Sequence, residues 1–412
     1  MKLHQVAIEY VILVGWTLIA IVSVTIFPQG IYTVAFLTFG AVIAASLLIA
    51  WAAEASESSI SRGLALAIVA IVQTIPEYFV EGTIAWKAGQ VPNVWLANTV
   101  ANFTGANRLL TGLGWPLILF TLMVQKSRKQ VQVPSSIRLG EEQSIEVVFM
   151  LGSSGYYAWI LLEKSITIID SIVLAIVFLG YITILARLPR NEKDAEDPIE
   201  KAPRILAEIK SGNKKLLAIS LLFLFGGVAF LLLSGPFVDS IAGLANTFLV
   251  GLLGGGAVFF TIQWIAPVLS EFPEKVTAVN WARQIKTAPL GLLNFISSAV
   301  NELTSLVALI PIVLFISSQG VLNAVPLNGQ QWIEVFLTMC QSIYASTALF
   351  DLEYDLTNAL VLFGLWILST AVIQTRIVVG IIFLLFTVHE LYRERGKISV
   401  FSSFRQTFLG IL

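Results

Sequence analysis

Val72-Gln-Thr-Ile-Pro-Glu-Tyr78 and Leu269-Ser-Glu-Phe-Pro-Glu274 decide how this 412-residue chain is read. Each places a glutamate directly after a proline, in the middle of a long apolar stretch. An ionisable residue in hydrocarbon costs at least about 2.5 kcal/mol even on the lenient insertion scale, so each such acid asks for a physical reason. Proline lacks an N–H and interrupts the helical ladder, which leaves carbonyl oxygens free one turn earlier, beside the carboxylate. A desolvated cation requires that kind of cluster of hard oxygens.

The surroundings of the two stretches are those of a membrane protein. The chain is 57% apolar and 12% charged, with a mean hydropathy of +0.84, where an ordinary globular protein carries about 25% charged residues. A net charge of −1 gives no general attraction to nucleic acid. One cysteine, Cys340, excludes an intrachain disulfide and a cysteine zinc cluster, and two histidines, His4 and His389, exclude most imidazole chemistry. His389-Glu390 is not a zinc-protease motif, since Arg393 stands where the second histidine would be. No enzyme and no cofactor is therefore expected.

Crossing the hydrocarbon core takes about 20 mostly apolar residues. Such stretches fall at 8–27, 31–53, 63–86, 94–123, 144–163, 166–187, 214–235, 252–282, 288–316, 332–350, 355–375 and 377–392. The expected fold is an all-α membrane protein of about twelve transmembrane helices. With the N-terminus inside, 20 of the 25 basic residues lie in inside segments and three in outside loops, so both termini are expected in the cytoplasm of a multi-pass protein of the cell membrane. The polar stretch from Pro189 to Lys215 is then a cytoplasmic linker with a short helix at 198–210.

The chain also repeats itself. Ser144-Ile-Glu-Val-Val-Phe and Tyr156 resemble Trp332-Ile-Glu-Val-Phe and Tyr344, Ile75-Pro-Glu77 resembles Phe272-Pro-Glu274, and Asn107-Arg-Leu-Leu-Thr resembles Asn301-Glu-Leu-Thr-Ser. The expected organisation is an extra helix in 1–30, a first five-helix repeat in 31–187, a linker in 188–213, a second repeat in 214–375 and an extra helix with tail in 376–412. Five helices per half force the second half to run opposite to the first. Inverted repeats are a transporter signature, with the substrate held near the midplane where the halves meet.

The helix after each Pro-Glu offers further oxygens: Asn107 with Thr104, and Asn301 with Ser297 and Ser298, each hydroxyl about one turn before its asparagine. Inverted symmetry would gather two glutamates, two asparagines, several hydroxyls and Glu271 in one place.

These residues resemble the α-repeats of the calcium/cation antiporter superfamily, whose sodium/calcium exchangers carry G-T-S-L-P-E and then G-N-x-x-G-S-N. The first repeat is matched by Val72 to Tyr78 with Ala101-Asn-Phe-Thr-Gly-Ala-Asn107, the second by Leu269 to Glu274 with Ser297-Ser-Ala-Val-Asn301. The resemblance implies that Glu77 and Glu274 are calcium ligands with Asn107 and Asn301 beside them. It also implies that Gln73, Thr74, Ser270 and Glu271 occupy sodium-binding positions, and that Ser297 matches the cation-binding hydroxyl a turn before the second asparagine. It implies alternating access by gating helices, for which 8–27, 31–53 and 214–235 are candidates. The Pro-Glu form and asparagine spacing look more like the sodium/calcium branch than the proton/calcium one.

The departures from the family pattern are Gln73 for a small residue, Glu271 for a serine, and the cations Arg108 and Lys275 beside site positions. Arg108 and Glu302 are repeat equivalents, and an intramembrane salt bridge between them is the expected arrangement. Lys275 could neutralise Glu271 or Glu81. Glu146, Glu334 and Asp170 read as interfacial or capping acids at helix starts. The expected function is secondary antiport of calcium or a related cation against sodium or protons. The alternative is a cation channel or a non-transporting scaffold of the same duplicated fold. The expected partners are inorganic cations and the lipid bilayer.

Overall fold

The computed structural model describes residues 3–27, 29–57, 74–129, 136–188 and 201–411. They form helices α1 (Leu3–Ile26), α2 (Ile31–Glu57), α3 (Ile75–Gln90), α4 (Ala101–Leu109), α5 (Trp115–Arg128), α6 (Ser144–Glu163), α7 (Ile168–Ala186), α8 (Lys201–Ala207) and α9 (Gly212–Phe248). The remainder are α10 (Ala257–Ser270), α11 (Phe272–Arg283), α12 (Ala288–Asn301), α13 (Val307–Ser317), α14 (Gly329–Thr347), α15 (Leu356–Ala371), α16 (Arg376–Arg393) and α17 (Val400–Ile411). Four three-residue strands join them: β1 (Ser136–Arg138), β2 (Ser165–Thr167), β3 (Ala324–Pro326) and β4 (Glu353–Asp355).

Among the described residues nine helices are long and apolar enough to cross a membrane, which makes this a multi-pass integral membrane protein. The twelve expected stretches differ from them in definable ways. Part of 63–86 lies outside the described residues. The stretch at 355–375 forms a helix of only 16 residues, α15. The stretch at 252–282 is broken at Glu271 into α10 and α11. The expected end at residue 235 is passed: α9 continues through Pro236 to Phe248, 37 residues in all. Proline inside a membrane helix is tolerated where neighbours satisfy the backbone it frees.

The chain divides into two compact units, residues 1–84 with 185–274 and residues 85–184 with 275–412. In the first, α2 packs along α9 and against α1, α8 and α10. Lipid tails are as apolar as leucine, so helices in a membrane associate by close packing of small residues. On α2, Ala41, Ala44, Ala45, Ala52, Ala53 and Ala55 are buried. On α9, Gly226 lies so close that a Cβ there would meet Ile49 Cγ1 at 2.5 Å. Two clusters hold this packing: Ala20, Ala41 and Leu233, and Ala52, Ala55, Leu206 and Ile219. Tyr10 ties α1 to α8 by donating to the Ala202 carbonyl at 3.1 Å.

In the second unit α14 packs on α16, α6 and α4, and the internal repeat becomes visible as structure. β1 pairs antiparallel with β4, and β2 with β3, so a strand before α6 joins the one after α14, and the strand after α6 joins the one before α14. Tyr156 donates to Asp170 at 2.6 Å, and the repeat-related Tyr344 donates to Asn358 at 2.9 Å. Gln143 accepts from the Gly140 N–H, as Gln331 accepts from the Asn328 N–H. Each asparagine-bearing helix runs into a π-helical turn, Leu110–Gly114 after α4 and Glu302–Leu306 after α12. Such turns are rare overall and are frequent at functional sites.

Candidate functional site

The two Pro-Glu pairs lie in the first turns of α3 and α11 rather than in mid-helix. Proline fits there because the first turn has no intrahelical use for its N–H, and a carboxylate is favoured beside the unsatisfied N–H groups and positive dipole end. Thr74 sets the start of α3, its carbonyl accepting from the N–H groups of Glu77 and Tyr78, both at 3.1 Å. In the first unit Glu271 ends α10, its N–H donating to the Pro267 carbonyl at 3.1 Å, and Phe272 begins α11.

That break brings Glu271 to Glu77. The two offer carboxylate oxygens within 4.8 Å of one another, and the residues are 1% and 0% exposed. Thr74 and Glu81 are also fully buried. Glu274 lines a small cavity with Ser46, Ile49, Ala50, Pro76, Ser270 and Pro273, in which the centre of a water-sized sphere has about 10 Å3, room for one water. Ser270 Oγ donates to the Ala266 carbonyl at 2.9 Å. Ser46 Oγ, buried on the cavity wall, has no hydrogen-bond partner among the described residues. The sequence reading missed Ser46, since a serine in an alanine-rich helix carries no signal of its own. Gln73 lies outside the described residues.

The second unit holds the asparagines. Asn107 is fully buried on α4, its Nδ2 donating to the Ala299 carbonyl at 3.3 Å and its Oδ1 accepting from Ser342 Oγ at 2.6 Å. It therefore cross-links α4, α12 and α14 as well as offering an oxygen. Thr104 Oγ1 donates to the Val100 carbonyl at 2.6 Å. Gln341 Nε2 reaches the π turn, donating to the Arg108 carbonyl at 3.0 Å and to Thr111 Oγ1 at 2.7 Å. Asn301 ends α12 and accepts from Ser305 Oγ at both its carbonyl and its Oδ1. Ser297 accepts from the Tyr181 hydroxyl at 3.1 Å, while Ser298 and Glu302 are buried.

Arg108 departs from expectation. Its Nη2 lies 2.8 Å from Glu334 Oε2, and Arg376 Nη1 bonds the other oxygen of the same carboxylate. The ion pair forms with Glu334 of α14 in place of the expected Glu302, because Nε donates to the Thr104 carbonyl at 3.0 Å and carries the guanidinium across to that helix. Glu334 is accordingly no interfacial cap: α14 is capped by Asn328, and Glu334 is 1% exposed between two arginines. Glu146 is likewise buried. Asp170 does act at a helix start, accepting from the Thr167 N–H at 2.7 Å. Lys275 is half-buried on α11.

The sodium/calcium exchanger protein family profile matches residues 29–187. Over 100% of both chains, the fold is similar to the crystal structure of the H+/Ca2+ exchanger CAX, with 29% identity and a TM-score of 0.89. The chain is thus similar to the sodium/calcium exchanger family over residues 29–187 and to an exchanger structure over its whole length. The sodium-calcium exchanger NCX_Mj shares the fold at 15% identity, over 82% of this chain and 96% of that one, with a TM-score of 0.51. Another NCX_Mj structure gives 16% identity, 83% and 97% coverage and a TM-score of 0.52. No curated protein matches the chain by sequence. The matched structures are of transporters.

Proposed function

We propose that this protein exchanges calcium, or a related divalent cation, for protons by alternating access. The observation that carries the reading is the buried approach of Glu77 and Glu271. Two carboxylates that close repel strongly once water is excluded, and the charge must be offset by a cation or by protons. One calcium ion, or two protons, neutralises the pair equally. Occupancy by one excludes the other, which is the chemical basis of exchange. Within the same unit Glu274 would add a further carboxylate toward the six to eight oxygens that calcium takes, with Thr74 and Ser270 as neutral donors.

Protons are chosen as the coupling ion because the full-length likeness is to an H+/Ca2+ exchanger. Sodium is the second reading, favoured by the family profile over residues 29–187 and by the Pro-Glu motif. The skew of 20 basic residues to one side supports a cell-membrane protein with cytoplasmic termini. The experiment is calcium uptake into proteoliposomes under an imposed pH gradient or sodium gradient. Uptake driven by the pH gradient and abolished by Glu77→Gln supports the proposal, and uptake driven by sodium alone transfers it to the second reading.

A further inference from the structure

A groove in the second unit, apart from the buried acids, combines a membrane-facing apolar wall with two cations. It has about 560 Å3 of space and is lined by Leu117, Phe120, Val124 and Arg128 of α5, with Thr121 and Gln125 beside them and Arg283 of α11. The α5 residues recur at three- and four-residue spacing and so form one stripe along the helix. Leu117 is 36% exposed and Val124 is 50% exposed, while Phe120 is held edge-on by Phe363 at 5.8 Å.

The stripe changes character along its length. From Leu117 to Arg128 a helix rises about 16 Å, close to half of the roughly 30 Å hydrocarbon core. Arg128 and Arg283 are the last residues of α5 and α11, and Arg128 ends a candidate membrane span. The apolar wall therefore covers one leaflet's depth and the guanidiniums stand at headgroup level. Arg283 donates to Asn280 Oδ1 at 3.3 Å, and both side chains are exposed without an ion-pair partner among the described residues.

We propose that this groove binds an anionic phospholipid, with one acyl chain along Leu117, Phe120 and Val124 and the phosphate between Arg128 and Arg283. Basic pockets at the ends of membrane helices recognise anionic headgroups, and the planar arginine fork suits phosphate. A zwitterionic lipid brings the same phosphate, but its ammonium opposes two neighbouring guanidiniums, so net headgroup charge decides selectivity.

The test is native mass spectrometry of the full-length protein released from nanodiscs containing equal phosphatidylglycerol and phosphatidylcholine. Retained lipid should be enriched at least about tenfold in phosphatidylglycerol and unaffected by excess inorganic phosphate, with the enrichment falling to near one in Arg128→Ala/Arg283→Ala and unchanged in Arg405→Ala. The proposal is overturned by equal retention of the two lipids or by enrichment that survives the double substitution. It is also overturned if Arg405→Ala reduces enrichment as much, which would mean diffuse surface charge. None of these readouts depends on which ions the protein exchanges.

Discussion

Glu77 and Glu271 present carboxylate oxygens within 4.8 Å of each other inside one compact unit, both withdrawn from solvent. The break between α10 and α11 creates this approach, since Glu271 stands at the end of one helix and Phe272 at the start of the next. If the pair is the cation site, removing either charge loses a hard ligand and half of the offsetting charge. Glu77→Gln and Glu271→Gln should each reduce calcium flux at least about tenfold, the scale on which even outer-shell changes weaken metal sites. Flux assays on protein reconstituted at equal density check this, and wild-type flux in both variants would remove the pair from the site.

The Arg108–Glu334–Arg376 cluster is predicted to be structural. Removing one partner of a buried ion pair typically costs about 3–5 kcal/mol, because the charge left behind has no partner. Glu334→Ala strands two guanidiniums and should lower thermal stability sharply. Arg108→Leu combined with Glu334→Leu should recover part of the loss, as read by thermal denaturation of the detergent-purified protein.

Gly291 reports on how closely α11 and α12 approach. A Cβ at this position would lie 2.7 Å from the Ala278 carbonyl oxygen, a backbone atom that cannot swing aside. Gly291→Ala should destabilise by about 1–3 kcal/mol through overpacking, whereas Gly364→Ala, with no neighbour within 4 Å of its Cβ position, should not. Paired melting curves test the difference.

Acid sensitivity should localise to the turn after α16. Burial opposes ionisation of Glu394, but hydrogen bonds from Lys397 and from Arg393, the latter at 2.8 Å, outweigh it and hold the carboxyl below its usual value of 4.5. A carboxylate whose folded pKa is depressed stabilises the fold above its unfolded pKa, and the contribution disappears as pH falls through the folded one. Stability measured from pH 6 down to pH 3 should therefore fall, and Glu394→Gln should flatten that part of the profile.

The Pro-Glu pairs and the repeat were readable because scarce acids in apolar surroundings stand out, and both pairs lie in first turns where the chemistry of proline and carboxylate agrees. What could not be read was tertiary. The partner of Arg108 depends on which way a long side chain leaves its helix, and sequence spacing favoured Glu302 over Glu334. The buried stripe Gln331, Glu334, Thr338, Gln341 and Ser342 on α14 has helical periodicity, yet its mostly neutral members do not announce themselves as charges do. Strands of three residues, such as β1 and β4, are too short for any alternation to register.

Calcium uptake into proteoliposomes driven by an imposed pH gradient, compared between the wild-type protein and Glu77→Gln at matched folding stability, tests whether buried carboxylates trade calcium for protons. The account predicts rapid uptake that ceases when the gradient is collapsed and is reduced at least about tenfold in the variant. Uptake indifferent to the pH gradient, or equal in the two proteins, would contradict it.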